Sequence, residues 1–241
     1  MPQMRQRSRF STNMTSIYSH SSTQMVRDLF SFVEACSKTD YPAGFVYSQT
    51  TNRMWRKNRQ PGPSGTRCVG RDINRNWPAE WDSNPDGASP DPCDETYRGE
   101  APSDSPENKG LVSYVNKLRD TTGIKLYIDW HSYGQYILSP WGYTCDILPQ
   151  DNSEHQSLMQ RTAAAIKASK GKTFAYGPSC ATLYATTGDS TDYLHGPGRS
   201  DYSITIELRD QGSAGFVLPA NQILPSGEEQ WAGMKVMLTS M

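Results

Sequence analysis

Ile124-Lys-Leu-Tyr-Ile-Asp-Trp-His-Ser-Tyr-Gly-Gln135 is the stretch whose reading decides the fold. Leu126, Ile128 and Trp130 alternate with Lys125, Tyr127 and Asp129, the period of two that marks a strand. The run breaks at His131-Ser-Tyr-Gly134. In an open α/β sheet ligands bind in the crevice beyond the strand ends. His131 therefore stands where a metal ligand or a base would, with Asp129 close enough to brace its ring. A single histidine after a strand is as readily a structural residue, so the remaining chain has to separate the two.

Working outward, Tyr202-Ser-Ile-Thr-Ile-Glu-Leu-Arg209 reads as a second strand, with Ile204, Ile206 and Leu208 on one face and Ser203, Thr205 and Glu207 on the other. Helical spacing marks Glu107–Asp120 through Leu111, Val112, Val115 and Leu118. It also marks Ser153–Lys170, with Ser153 and Gln156 as a capping box and Gly171 as the stop. Ser226–Met241 is a last helix, opened by Ser226 and Glu229 as a second box. Upstream, Thr23–Ser37 has the pattern of an amphipathic helix, and Tyr41–Gln49 reads as a short strand or turn. Helices alternating with strands predict an α/β fold in which helices cover a mixed sheet. A length of 241 residues suits one such domain.

Composition narrows the function classes. The net charge of −1 conceals an asymmetry: residues 1–75 hold 12 Lys/Arg against four acids, a balance of +8. That basic half would suit nucleic acid or a small anionic group. Mean hydropathy is −0.70, and no stretch is long and apolar enough to span a membrane. Met1–Phe10 lacks the apolar core of a signal peptide, and the Ser/Thr/Arg/Gln-rich residues 1–22 have the composition of a disordered segment. Five cysteines without a CxxC read as two disulfides, with Cys36 left over, and so as an oxidising compartment. A disulfide-bearing body behind a start that carries no export signal suggests that Met1 is not the natural beginning. Residues 60–106 are a Pro-broken loop, and a loop of that length is functional or pinned.

Several side chains have chemistry to offer. Glu207, next to Arg209, is either half of a buried ion pair or a general base acting on a metal-bound water. The basic residues 53–75 are a solvated face, a nucleic-acid surface or a carboxylate clamp. Asn74-Arg75 fits the clamp, because guanidinium presents a planar fork to carboxylate, and Arg56 could polarise a carbonyl oxygen. No stacking platform or motif for nucleic acid is present. Tyr184, in a Gly/Ser/Thr-rich loop, either packs its ring at the surface or closes over a substrate.

In order along the chain, Asn52-Arg-Met-Trp-Arg-Lys57, Gly70-Arg-Asp-Ile-Asn-Arg-Asn-Trp77, Pro92-Cys-Asp-Glu-Thr-Tyr-Arg-Gly99, Trp130-His-Ser-Tyr133, Thr205-Ile-Glu-Leu-Arg-Asp-Gln-Gly212 and Gly215-Phe-Val-Leu-Pro-Ala220 resemble the zinc metallocarboxypeptidases of the carboxypeptidase A/B type. The resemblance runs from about Tyr41 to the C-terminus. It implies a mixed, mostly parallel twisted sheet flanked by helices, acting on peptide or protein C-termini outside the cell. It further implies a monomer with neither nucleic-acid nor membrane partners. Residue by residue, His131 would be the C-terminal zinc ligand and Glu207 the general acid/base. Arg56 would hold the scissile carbonyl oxygen, Asn74 and Arg75 the free carboxylate, and Tyr184 would cap the pocket. Cys68 and Cys93 match a disulfide of the family. Cys145–Cys180 is the expected second bridge, a pairing the resemblance does not itself supply. Thr191 falls at the pocket floor, where an acid favours Lys or Arg and an aliphatic residue favours apolar side chains. Thr191 is neither and Asp189 lies nearby, which leaves the preference open.

The family binds zinc through two His and one Glu, the first His and the Glu coming from a His-x-x-Glu turn upstream of Arg53–Arg59. Here His20 is followed by Ser21, Ser22 and Thr23, and His155 and His195 lie downstream. The expectation is therefore residues 1–40 outside the family, 41–241 as a partial catalytic domain with a sheet incomplete on its N-terminal side, and one zinc ligand of three. Such a chain is expected to have little or no activity, as a truncated or mis-joined product would, or to act as a pseudoenzyme that binds peptide C-termini without cutting them.

Overall fold

The computed structural model describes residues 16–18 and 42–240. The helix expected over Thr23–Ser37 and the leftover Cys36 lie outside them. Strand β1 (Ser16–Tyr18) precedes helix α1 (Pro42–Thr50), and a long loop carrying a 3-10 turn at Ile73–Arg75 leads to α2 (Pro106–Thr121). Then come β2 (Ile124–Ser132), β3 (Tyr136–Ser139), α3 (Asn152–Lys170), β4 (Ala175–Pro178), α4 (Ser179–Thr182), α5 (Ser190–His195), β5 (Ser200–Leu208) and α6 (Ile223–Thr239). The strands form one five-stranded sheet in the order β1-β2-β5-β3-β4. β2/β5 and β3/β4 pair in parallel, while β1/β2 and β3/β5 are antiparallel with shorter ladders. The expected mixed sheet, parallel along most of its ladder length, is present.

Both faces of the sheet are covered, which is why β2 is buried on alternate and intervening positions alike. One face sets Leu126, Ile128, Ile137, Ile204 and Ile206 against Leu158, Met159, Ala163 and Ile166 of α3 and Met237 of α6. Each such fully buried side chain contributes about 1.5–3 kcal/mol. The other face begins as core, with Ile124 and Tyr127 against Val115 and Leu118 of α2 and Trp77, Tyr193 and Leu194. It turns polar toward the C-terminal ends of β2 and β5, where Asp129, His131, Thr205 and Glu207 lie.

Local signals explain two of the helix ends, and three expectations need correction. Ser105 caps α2 by accepting the Asn108 N–H at 3.1 Å, with Pro106 at the first helical position. Gly171 closes α3 at φ 73°. The Ser153–Gln156 box is not made: α3 starts at Asn152, and the Ser153 hydroxyl instead donates to Glu154. α6 begins at Ile223, so Ser226 lies within it, and Glu229 is diverted to a buried ion pair with Arg209. The strand or turn read at Tyr41–Gln49 is helix α1. Its Phe45, Val46 and Tyr47 have strand-like side chains but no buried face to impose a period, and the Ser48 and Thr50 hydroxyls bond back to the carbonyls of Phe45 and Val46.

The long loop 51–105 is pinned by buried polar groups and by covalent bonds. Arg71 donates to Asp104 at 2.7 Å, to the Pro61 carbonyl at 2.9 Å and to Glu100 at 3.1 Å. Asn76 donates to the carbonyls of Arg98 and Ala101 and to Asp104. Disulfides join Cys68 to Cys93 and Cys145 to Cys180, both as expected.

Candidate active site

The parallel register sets His131 opposite Glu207 and Asp129 opposite Thr205, so the polar ends of β2 and β5 meet on one face. His131 Nε2–H donates to Asp129 Oδ2 at 2.8 Å. Asp129 also accepts the Ser190 hydroxyl at 2.6 Å. Burial alone would lower the imidazole pKa, but the Asp129 carboxylate, its hydrogen bond and Glu207 outweigh it and push His131 up to about 9. Burial raises Glu207 despite the pull of His131, and its Oε2 has no hydrogen-bond partner among the described residues. The bland reading of Glu207, an ion pair with Arg209, does not hold: Arg209 is taken by Glu229 and Gln222. Glu207 is thereby left facing the cavity.

The opposite wall comes from the loop. Asp72 accepts the Asn74 N–H at 3.0 Å, which caps the 3-10 turn, and with its other oxygen accepts Arg56 Nε at 2.7 Å. One carboxylate thus aims two loop residues, and Asp72 holds the Arg56 guanidinium above its ordinary pKa against the cost of burial. Asn74 Oδ1 accepts the Ser190 N–H at 2.9 Å, and its Nδ2 lies 3.1 Å from His131 Nε2. Arg75 is 4% exposed, donates Nη1 to the Asn74 carbonyl at 2.6 Å, and has no carboxylate within ion-pair distance among the described residues. Gly188, at φ 61°, passes so close that a Cβ there would sit 2.5 Å from the Arg75 carbonyl oxygen. The sequence reading assigns no role to Asp72, Ser190 or Thr205. An Asp just ahead of Ile73-Asn-Arg75 is the one visible signal, since it has the place of an N-cap.

Arg56, Asn74, Arg75, His131, Tyr184, Thr191 and Glu207 all line one cavity of about 260 Å³. Tyr184 is 55% exposed at its rim, in the segment after Cys180 that the Cys145 bridge anchors. Thr191 is buried, its hydroxyl 2.5 Å from that of Thr205. The basic residues 53–75 are divided: Arg53, Arg56 and Arg67 are exposed, whereas Arg59 stacks 3.9 Å over Tyr47 and 4.5 Å over Trp55, and Lys57 is buried against the Pro92 carbonyl.

The cavity fits one metal ligand well. With Nε2–H held by Asp129, His131 Nδ1 has no partner among the described residues, the arrangement of a metal-binding histidine braced by a carboxylate. A catalytic zinc takes three protein ligands, and among the described residues no other histidine lines this cavity. Among the described residues one group with metal-ligand spacing exists, Asp151, His155 and His195, away from the site. There the Ser203 N–H donates to His155 Nε2, which leaves the proton on Nδ1, facing Asp151. That geometry is a hydrogen-bonded network in which the nitrogen nearest the carboxylate carries no free lone pair.

The family model for zinc carboxypeptidase, peptidase M14, matches residues 41–233. The chain belongs to that family. It is 48% identical over 200 residues to the metallocarboxypeptidase A of Trichophyton rubrum, a match covering 83% of this chain and 47% of that protein. It is 41% identical over 197 residues to carboxypeptidase A4 of Mus musculus, covering 82% and 45%. The chain thus spans a little under half the length of the curated relatives it matches. Among solved structures, thrombin-activatable fibrinolysis inhibitor superposes with a TM-score of 0.76 at 32% identity, over 82% of this chain and 48% of that one. Carboxypeptidase A from Helicoverpa armigera gives 0.73 at 30%, over 83% and 49%. The zinc carboxypeptidase fold is therefore shared, and its family is one of zinc-dependent hydrolases.

Proposed function

We propose that residues 41–241 are part of the catalytic domain of a secreted, monomeric metallocarboxypeptidase whose cavity receives the free C-terminus of a peptide or protein for release of the last residue. The observation that carries this reading is Arg75, a buried cation with no carboxylate partner, in the same cavity as His131 and the unpaired Glu207. A buried, unpaired charge is costly unless an opposite charge arrives. In this reading Arg75 binds the peptide carboxylate, Asn74 orients it and Arg56 faces the carbonyl oxygen of the bond to be cut. Glu207, raised by burial, holds the transferred proton, Tyr184 closes the rim, and Thr191 lies at the floor. Two disulfides fit an oxidising, extracellular setting, and no described helix is long and apolar enough to cross a membrane.

Zinc, when bound, polarises the carbonyl and supplies the nucleophilic water, and His131 is the ligand this cavity provides. One imidazole does not hold a catalytic zinc, because affinity follows ligand number and geometry. The 241-residue chain by itself is therefore a binder of peptide C-termini with little turnover. The decisive experiment pairs two measurements on residues 1–241. Calorimetry compares a peptide acid with its C-terminal amide, and tight binding of the acid alone is expected. Release of the last residue from a blocked dipeptide is measured with added zinc, and robust turnover that a chelator abolishes would refute the binding-only state. Equal affinity for acid and amide would sink the assignment of the cavity.

A further inference from the structure

Resting on that reading of the cavity, we propose that Ser190 is a positioning residue, which fixes the end of the Asn74 side-chain amide that meets the peptide carboxylate. Ser190 is 2% exposed and does not line the cavity, although Asp189 and Thr191 on either side of it do. It therefore acts on a bound peptide only through other groups. It makes one hydrogen bond to each wall. Its hydroxyl donates to Asp129 Oδ2 at 2.6 Å, on strand β2, and its N–H donates to Asn74 Oδ1 at 2.9 Å, in the loop. Two further bonds hold the backbone around it. Asp189 caps α5 by accepting the Asp192 N–H at 2.8 Å, and the Ser203 hydroxyl donates to the Thr191 carbonyl at 2.8 Å.

An asparagine amide is an acceptor at one end and a donor at the other, and the two ends have nearly the same shape. Packing does not choose between them, but a hydrogen-bond partner does. A backbone N–H only donates, so Ser190 takes Oδ1 and turns Nδ2 away from itself. Nδ2 then lies 3.1 Å from His131 Nε2. The proton on that ring nitrogen is directed at Asp129, 2.8 Å away, so the ring offers Nδ2 no lone pair. The amide hydrogens are left for an acceptor that arrives in the cavity, and a carboxylate seated on Arg75 is such an acceptor. Without the Ser190 N–H, the amide is expected to turn over, because Oδ1 can then accept the His131 Nε2–H. The turned amide would set a carbonyl oxygen against the peptide carboxylate, which repels an acid and accepts a hydrogen bond from a C-terminal amide. The Ser190 hydroxyl keeps the first residue of α5 against β2, so that the N–H stays aimed at Asn74.

The test uses residues 1–241 and a blocked dipeptide ending in phenylalanine, as free acid and as amide, with calorimetry on the unsubstituted protein and two variants. Ser190→Pro deletes the N–H. Proline suits the first position of a helix, and Asp189, at φ −90° and ψ 162°, already has the extended conformation that precedes proline. Ser190→Ala keeps the N–H and deletes the hydroxyl that aims it. Acid affinity is expected to fall about tenfold or more in Ser190→Pro and about threefold in Ser190→Ala, with amide affinity unchanged or higher in both. Acid and amide weakened alike would make Ser190 a structural residue only and overturn the proposal. An acid-to-amide ratio unchanged in Ser190→Ala would overturn it too, whether or not the proline variant folds. Acid and amide binding alike in the unsubstituted protein would overturn the reading of the cavity, and this inference with it.

Discussion

The loop wall and the strand wall of the cavity are built differently. On the loop wall and its neighbour most polar groups are held by others within the described residues: Arg56 by Asp72, Asn74 by Ser190, Asp189 by Thr186 and the Asp192 N–H, with Arg75 Nε the exception. The loop itself is fastened by a disulfide and by the buried Arg71 and Asn76. On the strand wall His131 is braced by Asp129 but has no second imidazole beside it, and Glu207 Oε2 has no partner, among the described residues. The loop wall is therefore preorganised by residues of this chain alone, because its parts are local hydrogen bonds that a pinned loop can satisfy, and in the proposed function that wall meets the substrate. Metal binding needs three ligands converging on one point, and hydrogen bonding within the loop cannot supply them.

The largest effect on this contrast is expected from the loop's covalent pin. Replacing Cys68 and Cys93 by Ala should cost about 3–4 kcal/mol of stability, the loop-closure value for a separation of this size. Denaturant titration checks it, and carboxylate binding should fail along with it. A loss below 1 kcal/mol would mean that Arg71 and Asn76 suffice to pin the loop. Next, Arg75→Ala should weaken binding of peptide acids by about 2–3 kcal/mol, the worth of a charge-assisted contact, while leaving amides unchanged. Calorimetry that shows acid and amide equally affected would move the carboxylate site elsewhere.

Gly188→Ala should cost about 1–3 kcal/mol, since φ 61° strains an L-residue and its Cβ meets the Arg75 carbonyl. Thermal unfolding reads the stability loss, and unaltered melting would show that this approach is softer than the packing implies. Asp72→Ala frees Arg56 and uncaps the 3-10 turn at once, for about 1–2 kcal/mol. Asp72→Asn should recover the cap but not the ion pair, which separates the two roles in the same assay. The smallest effect belongs to the strand wall: added zinc should stabilise the chain by under about 1 kcal/mol, against the 10 kcal/mol or more of a complete structural site. Stoichiometric zinc retained after dialysis would break the asymmetry between the walls.

Which features could be read without coordinates follows from the range of the interactions that make them. Strands β2 and β5, helices α2 and α3 and the stop at Gly171 were legible, because period, capping and motif spacing are local properties; the motif residues His131, Glu207, Arg56, Asn74 and Arg75 line one cavity. Helix α1 was misread, since an exposed helix has no buried face to set its period. The proposed caps at Ser153 and Ser226 failed because neighbouring groups compete for the same side chains. Glu229 is the clear case: a helix cap offers one hydrogen bond, whereas Arg209 offers a buried, two-pronged ion pair.

The sequence by itself determined the family and the alternating fold, and it contains no His-x-x-Glu, all of which are properties of order along the chain. Tertiary structure decided that Arg209 belongs to Glu229 and leaves Glu207 free, and that Asp72 aims Arg56 and Asn74 together. It also decided that Arg75 and Asp189 share a cavity without pairing. These choices turn on which of several possible partners comes within about 3 Å, and no local pattern encodes which of them that is.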